Sequence, residues 1–171
     1  MQTYSFDAYV GQAIAFDPTQ DVLEFGSNRA AAGLSFQEDN GDLLVWSSGS
    51  FVRLSSVTFD QLQEQDFSFL DGSVVRLGSA ADDSLTGTNS GDYIDIRGGG
   101  SDTVTAGAGN DRIYVGGALD ASDQISGGTN LNGVDELVLN STNGWVKTWR
   151  NAIISTMTWN SVTGETIGQV I

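Results

Sequence analysis

The chain has 171 residues and a formal net charge of −15, with 22 acidic against 7 basic side chains, and it contains neither Cys nor His. That balance argues against nucleic acid, whose phosphates need Lys and Arg; the missing Cys excludes disulfides and thiolate metal sites, and the missing His removes the usual zinc ligand and general base. No apolar run reaches the length of a membrane helix, and the opening Met1–Asp7 stretch shows neither the basic region nor the apolar core of a cleavable export signal.

Residues 1–77 read as short strands separated by turns. Ala13 to Phe16 is apolar and runs into the turn cluster Asp17-Pro18-Thr19-Gln20, and Val22 to Phe25 follows as a strand. Residues 27–33 read as a loop or short helical turn. Leu34 to Phe36 and Leu43 to Trp46 are strands joined through Asp39-Asn40-Gly41-Asp42, where Asn-Gly is the favoured pair for a tight hairpin. Phe51 to Leu54 continues after a second turn, and Thr58 is placed to cap a short helix through Asp60, Leu62 and Glu64. Phe67 to Leu70 and Val74 to Leu77 are the last strands before the composition changes. This half is expected to be a β-rich N-terminal cap with Trp46 and Phe51 in its core; the other reading of those two rings is a stacking face for sugar.

Residues 78–137 are a repeat. Gly78 to Thr86, Gly87 to Asp95, Arg97 to Thr105 and Ala106 to Tyr114 each have a small or Gly-rich half, an Asp at position six and an aliphatic residue at position eight. The Asp register is Asp83, Asp92, Asp102, Asp111, Asp123 and Asp135; the aliphatic register, two residues on, is Leu85, Ile94, Val104, Ile113, Ile125 and Leu137. The steps are nine, ten, nine, twelve and twelve residues, the last two stretched, with Gly116-Gly117 and Gly127-Gly128 leading in and Asn130-Leu131-Asn132 inserted before Gly133. Each unit is a minimal strand whose central residue points inward, while its Gly-rich half permits φ > 0 or close approach of carbonyls to a cation. One unit cannot bury a core; stacked units bury a continuous aliphatic column. Residues at position seven, among them Tyr93, Arg112 and Gln124, are expected to point outward and to be replaceable. A flexible Gly/Asp linker would need no aliphatic residue in phase with its Asp.

The nonapeptide pattern G-G-x-G-x-D-x-U-x, best matched by Ala106 to Tyr114, resembles the calcium-binding repeats of the RTX (repeats-in-toxin, hemolysin-type) family. Phe16 to Phe25, Phe-Asp-Pro-x-x-Asp-x-Leu-x-Phe, looks like the segment that often flanks such repeats. The resemblance implies an all-β fold, a right-handed parallel β-roll (a β-solenoid) over 78–137 between the β-rich cap 1–77 and a short C-terminal cap in 138–171. In the family's roll two units make one coil, so Asp83 would stack on Asp102 and then Asp123, and Asp92 on Asp111 and then Asp135. Several Ca²⁺ ions would lie between coils. Their ligands would be the six Asp residues, helped by backbone carbonyls at Gly78, Ala80, Gly87, Asn89, Arg97, Gly99, Gly100, Ala106, Ala108 and Gly109. Stacked carboxylates repel without such an ion, and Ca²⁺ takes six to eight oxygens of this kind. The resemblance further implies a secreted, extracellular or cell-surface protein that leaves the cell unfolded through the type I secretion machinery. Self-association and a cell-surface glycan are the further partners it leaves open.

In 138–171, Trp145, Trp149, Ile153 and Met157 fall at helical spacing, yet Thr148, Ile154, Thr156 and Thr158 suit strands equally well. The tail is expected either to cap the column or to act as an uncleaved secretion signal. Nucleophilic catalysis lacks its His or Cys base, and Gly98-Gly99-Gly100 is no phosphate loop, since no Lys follows and no helix opens there. The leading expectation is therefore a non-enzymatic calcium-binding module; the alternative is an extracellular polysaccharide-active or polysaccharide-binding β-solenoid domain.

Overall fold

A computed structural model describes residues 1–116, 119, 122–129 and 134–138 with their side chains. It also describes the backbone out to Asn140 and at Val146–Asn151, Thr158–Trp159 and Thr166–Ile167. The described residues form short strands joined by turns, with no α-helix among them: an all-β chain with predominantly parallel pairing.

The N-terminal half builds two sheets. One is parallel, in the order β1 (Thr3–Ser5), β3 (Val22–Phe25), β7 (Phe67–Phe69). The other runs β2 (Ala13–Ile14), β6 (Ser50–Leu54), β5 (Asp42–Ser47), β4 (Leu34–Asp39). The β4–β5 hairpin turns at Asn40 and Gly41, whose φ values of 55° and 90° are those the Asn-Gly pair supplies. In place of one short helix after Thr58 there are two 3-10 turns, Phe59–Gln61 and Glu64–Asp66. Between the sheets lies an aromatic-rich core of Phe6, Phe25, Leu34, Val45, Leu54 and their neighbours, with Phe25 stacked between Phe6 and Phe69. Trp46 and Phe51 do not belong to it. They pair across β5 and β6 with ring centroids 4.8 Å apart, half-buried on the opposite face of that sheet, because strand alternation gives the inner face to Leu43, Val45, Val52 and Leu54.

From Val75 onward the strands alternate between two sheets. β8 (Val75–Leu77), β10 (Tyr93–Asp95), β12 (Arg112–Tyr114) and β14 (Asp135–Asn140) pair in parallel in one. β9 (Ser84–Thr86), β11 (Thr103–Thr105) and β13 (Gln124–Ser126) pair in parallel in the other. The register sets Ile94 on Ile113 on Leu137, and Leu85 on Val104 on Ile125. Those residues, with Ile96, Ala106 and Val115, make a second core. Leu85 is only half-buried, because β9 is the edge strand of its sheet.

Tyr93 corrects the expectation for position seven: it is 1 % exposed, whereas Gln124 is exposed and Arg112 lies between. The N-terminal half packs flat against the outer face of β8, β10 and β12, and Val75 and Tyr93 belong to the N-terminal core. Phe36 meets the Tyr93 ring edge-on at 5.2 Å, and Tyr114 lies 4.9 Å from it. Past β14 the chain takes the strand alternative: β15 (Val146–Asn151) pairs antiparallel with β14 and covers the open edge of the parallel sheet. Trp145, Ile153 and Met157 of the helical stripe, Gly117, the Asn130-Leu131-Asn132 insertion and Gly133 lie outside the described residues.

Candidate metal centre

Because strands alternate between the two sheets, the turns fall into two rows. One carries Asp83, Asp102 and Asp123, the other Asp92, Asp111 and Asp135, the pairing expected from two units per coil. Each Asp ends a turn just before its strand, so its carboxylate reaches back under the preceding coil. Asp102 Oδ1 accepts the Asp83 N–H at 3.0 Å, and Asp123 Oδ1 accepts the Asp102 N–H at 2.9 Å. In the other row Asp111 Oδ1 accepts from Asp92 N–H at 2.8 Å, and Asp135 Oδ1 from Asp111 N–H at 3.1 Å. The row continues upward, where Asp92 Oδ1 accepts the Val74 N–H at 2.7 Å. The second oxygen turns into its own loop: Asp83 Oδ2 accepts from Ser79 N at 2.6 Å and Asp92 Oδ2 from Thr88 N at 2.5 Å.

Asp111 departs from this pattern. It is 1 % exposed, and its Oδ2 is buried with no hydrogen-bond partner. Burial pushes its carboxyl up to about 7; the Asp92 N–H opposes that rise, and the Asp135 and Asp92 carboxylates add to it. Burial likewise raises Asp92 and Asp102, with Asp123 and Asp83 contributing repulsion at Asp102.

Backbone oxygens of one coil face the turn of the next. A Cβ at Gly107, where φ is 109°, would strike the Thr88 carbonyl oxygen, and one at Gly100, φ 118°, would strike that of Ala81. Only a residue without a side chain lets successive turns approach that closely. The Ala106 carbonyl faces Gly87 in the same way, and Gly109 sits against the Ser90 backbone. Gly78 donates its N–H to Asp95 O, and Ala108 donates to Thr88 O. Ala80 and Asn89 are exposed at the turn tips, and Gly99 closes a local turn onto Ile96 O. Arg97 offers only its backbone to this arrangement: its side chain pairs with Asp95, Nε to Oδ1 at 2.9 Å, and lies over the Phe59 and Tyr114 rings. Among the described residues no three carboxylates converge on one point. A cation here would therefore draw two carboxylates from successive coils and fill its shell with carbonyl oxygens, the hard-oxygen set that suits Ca²⁺. The orphaned Asp111 Oδ2 and the glycine-lined carbonyls fit that ion.

Two residues outside the expected set share this geometry. Asp82 Oδ1 accepts the Ser101 N–H at 2.8 Å, bridging two coils. Asp21 reproduces the ladder in the N-terminal half: Oδ1 accepts from Gln2 N, nineteen residues earlier, at 2.8 Å, and Oδ2 from Asp17 N, four earlier, at 3.1 Å. The signal was present in the sequence, since Tyr4, Ile14 and Leu23 are spaced by ten and nine residues and Asp21 stands two before Leu23. No family model, curated protein or solved structure matches the chain.

Proposed function

We propose that the chain is a non-enzymatic calcium-binding β-roll module of a secreted or cell-surface protein of the RTX type, which folds on Ca²⁺ after export by type I secretion. The observation that carries this reading is the two-row ladder of stacked Asp carboxylates beside glycine-lined carbonyls, with a buried oxygen of Asp111 left unpartnered at its centre. Asp83, Asp92, Asp102, Asp111, Asp123 and Asp135 would hold the ions, with carbonyls of the turns they end. The ion supplies charge neutralisation between coils and, through it, folding free energy. The central repeats each bury two apolar side chains, Ile94 with Ile96, Val104 with Ala106 and Ile113 with Val115, a large one being worth roughly 1.5–3 kcal/mol. Ordering the backbone of a repeat costs about 1–2 kcal/mol for each residue. Hydrogen bonds between coils offset part of the difference, and metal binding offsets the rest. Affinity on the order of 10⁻⁴–10⁻³ M, as in extracellular modules, keeps the repeats unfolded in a low-calcium cytosol and folds them outside, in a surface layer, an adhesin or an exoenzyme.

Circular dichroism in EDTA, then in millimolar Ca²⁺ and separately Mg²⁺, tests it. The expected result is a gain of β-signal with Ca²⁺ alone. One unchanged β-spectrum in all three conditions would overturn the reading.

A second reading has its own observation: Trp46 and Phe51 form an aromatic pair outside the core, beside Arg53, which bridges Asp39 at 2.6 Å and Asp42 at 3.0 Å. Rings flanked by charged hydrogen-bonding groups suit a sugar ring. Glycan binding by the calcium-saturated chain that Trp46→Ala abolishes would favour it.

A further inference from the structure

The two rows of turns differ in what holds them. On the Asp92–Asp111–Asp135 side, the N-terminal half is seated directly against the turns. Ala32 donates its N–H to Gly91 O at 2.9 Å, Ser90 Oγ donates to Asp71 O at 2.8 Å, and Arg112 Nη1 reaches Leu34 O at 3.4 Å. The turns of this row also bond to one another through the backbone, Ala108 N to Thr88 O and Thr129 N to Gly107 O, both at 2.9 Å. On the Asp83–Asp102–Asp123 side the contact is lighter: the Phe59 ring meets the Arg97 guanidinium at 5.0 Å and the Ser101 N–H bonds to Asp82 Oδ1, but among the described residues no backbone hydrogen bond ties the N-terminal half to 79–82 or 98–101. Ser84, Thr86, Thr103, Thr105 and Gln124 of its sheet are exposed, and among the described residues no backbone hydrogen bond joins 79–82 to 98–101.

The half that does the holding needs no ion of its own. It winds as the repeats do, with Tyr4 in register with Leu23 and Leu23 with Phe67, while Ile14 pairs with Leu54 in the facing sheet. Gln2, Gln12 and Gln65 stand where the repeats place Asp, and Asp21 has Gln2 and Gln65 on either side of it in the stack, so no stack of carboxylates has to be neutralised. In place of the small aliphatic side chains of the repeats it buries Phe6, Phe16, Phe25, Phe67 and Phe69, which bring more apolar area to each coil.

We propose that the N-terminal half is a calcium-independent clamp that pre-orders one row of turns, so that the module has two classes of calcium site. The Asp92–Asp111–Asp135 row is the tighter class and fills first; the Asp83–Asp102–Asp123 row is the weaker and fills last. The inference rests on the reading of these turns as calcium sites. Its physical basis is preorganisation: binding to turns already fixed by a folded neighbour loses less conformational entropy than binding to turns the ion must itself order. The clamp thereby gives the roll a starting coil and a direction of folding, from the covered sheet to the open one.

The test is a calcium titration of the full chain by isothermal calorimetry, with a chromophoric chelator as competitor. Two classes separated by tenfold or more are expected. Asp111→Asn should abolish or weaken the tight class, and Asp102→Asn the weak one. Phe36→Leu, which loosens the contact with Tyr93 without touching a turn, should move the tight class at least threefold toward the weak one and leave the weak one in place. Near-UV dichroism of each variant in EDTA establishes that the aromatic core is still folded; Phe36→Tyr replaces Phe36→Leu if it is not. One class of sites in the wild-type chain would overturn the clamp and leave the calcium reading standing. So would loss of the tight class in Asp102→Asn rather than Asp111→Asn, or an unmoved tight class in the Phe36 variant. No binding of calcium at all would overturn both.

Discussion

Asp111 accepts the backbone N–H of Asp92 through Oδ1 at 2.8 Å while its own N–H is accepted by Asp135, so one residue joins three coils and still leaves its Oδ2 buried without a partner. Asp83 and Asp135 have a neighbour on one side only among the described Asp rungs; Asp111 has one on each.

Asp111→Ala should therefore raise the calcium midpoint for folding more than Asp83→Ala or Asp135→Ala. The substitution removes a proposed ligand and a coil-to-coil hydrogen bond together. An increase of about tenfold or more, ~1.4 kcal/mol, is expected for Asp111→Ala, read by circular dichroism against free Ca²⁺. Equal shifts for all three would mean that position in the stack does not matter.

Calcium affinity should fall with acidification from neutral pH. Without the ion, the folded-state pKa of Asp111, about 7, lies above the unfolded value near 3.9. Burial of the neutral carboxyl thus contributes stability that is full below about pH 4 and lost as pH rises through 7. Calcium needs the charged form, so binding below pH 7 must release this proton. Calorimetry in two buffers of different ionisation enthalpy at pH 6 should show proton release, and at pH 8 nearly none. Proton release at pH 6 requires the Asp111 turn to be folded before calcium arrives; identical heats in both buffers would mean that the turn is unfolded, and its carboxylate already charged, in the ion-free chain.

Gly107→Ala should destabilise the calcium-loaded protein by on the order of 2–4 kcal/mol, because the new Cβ would meet the Thr88 carbonyl at a left-handed φ of 109°. Gly33→Ala is the control: a Cβ there meets nothing within 4 Å, and the change should stay within about 0.5 kcal/mol. Urea denaturation at saturating calcium reads both.

The repeats were legible because their information is local. An Asp and an aliphatic residue two positions apart fix both turn and strand, and a nearly constant step fixes which turns stack. Tyr93 was not legible, since its burial is decided by Phe36, far away in sequence and brought in by the β4–β5 hairpin. Trp46 and Phe51 failed for a related reason: two apolar rings in adjacent strands say that they meet, and only the face taken by Val45 and Val52 says they meet outside the core. The winding of the N-terminal half was hidden by the inserted hairpin, which separates Leu23 from its partner Phe67 and interrupts the nine- and ten-residue steps.

Asp66 sets a pH dependence independent of the repeats. It is fully buried in the N-terminal half; Oδ2 accepts the Gln63 N–H at 2.8 Å, and Oδ1 has no partner. Burial raises its carboxyl to about 6, the Gln63 N–H opposing and the Asp17 carboxylate adding to the rise. A folded pKa above the unfolded one means that the neutral acid favours the fold: its contribution is full below about pH 4 and lost as pH climbs through 6. At pH 7.5 the charged, half-satisfied carboxylate costs on the order of 2 kcal/mol relative to the neutral group. Asn keeps the acceptor for Gln63 and carries no charge. Asp66→Asn should thus stabilise the chain by about that amount at pH 7.5 and by almost nothing at pH 4. Urea unfolding of wild type and variant followed by Trp fluorescence, across pH 4 to 8 at saturating calcium, isolates the effect, because the titration of the repeats is common to both and cancels in the difference. A variant less stable than wild type at pH 7.5 would show that the Asp66 charge is held by a favourable partner.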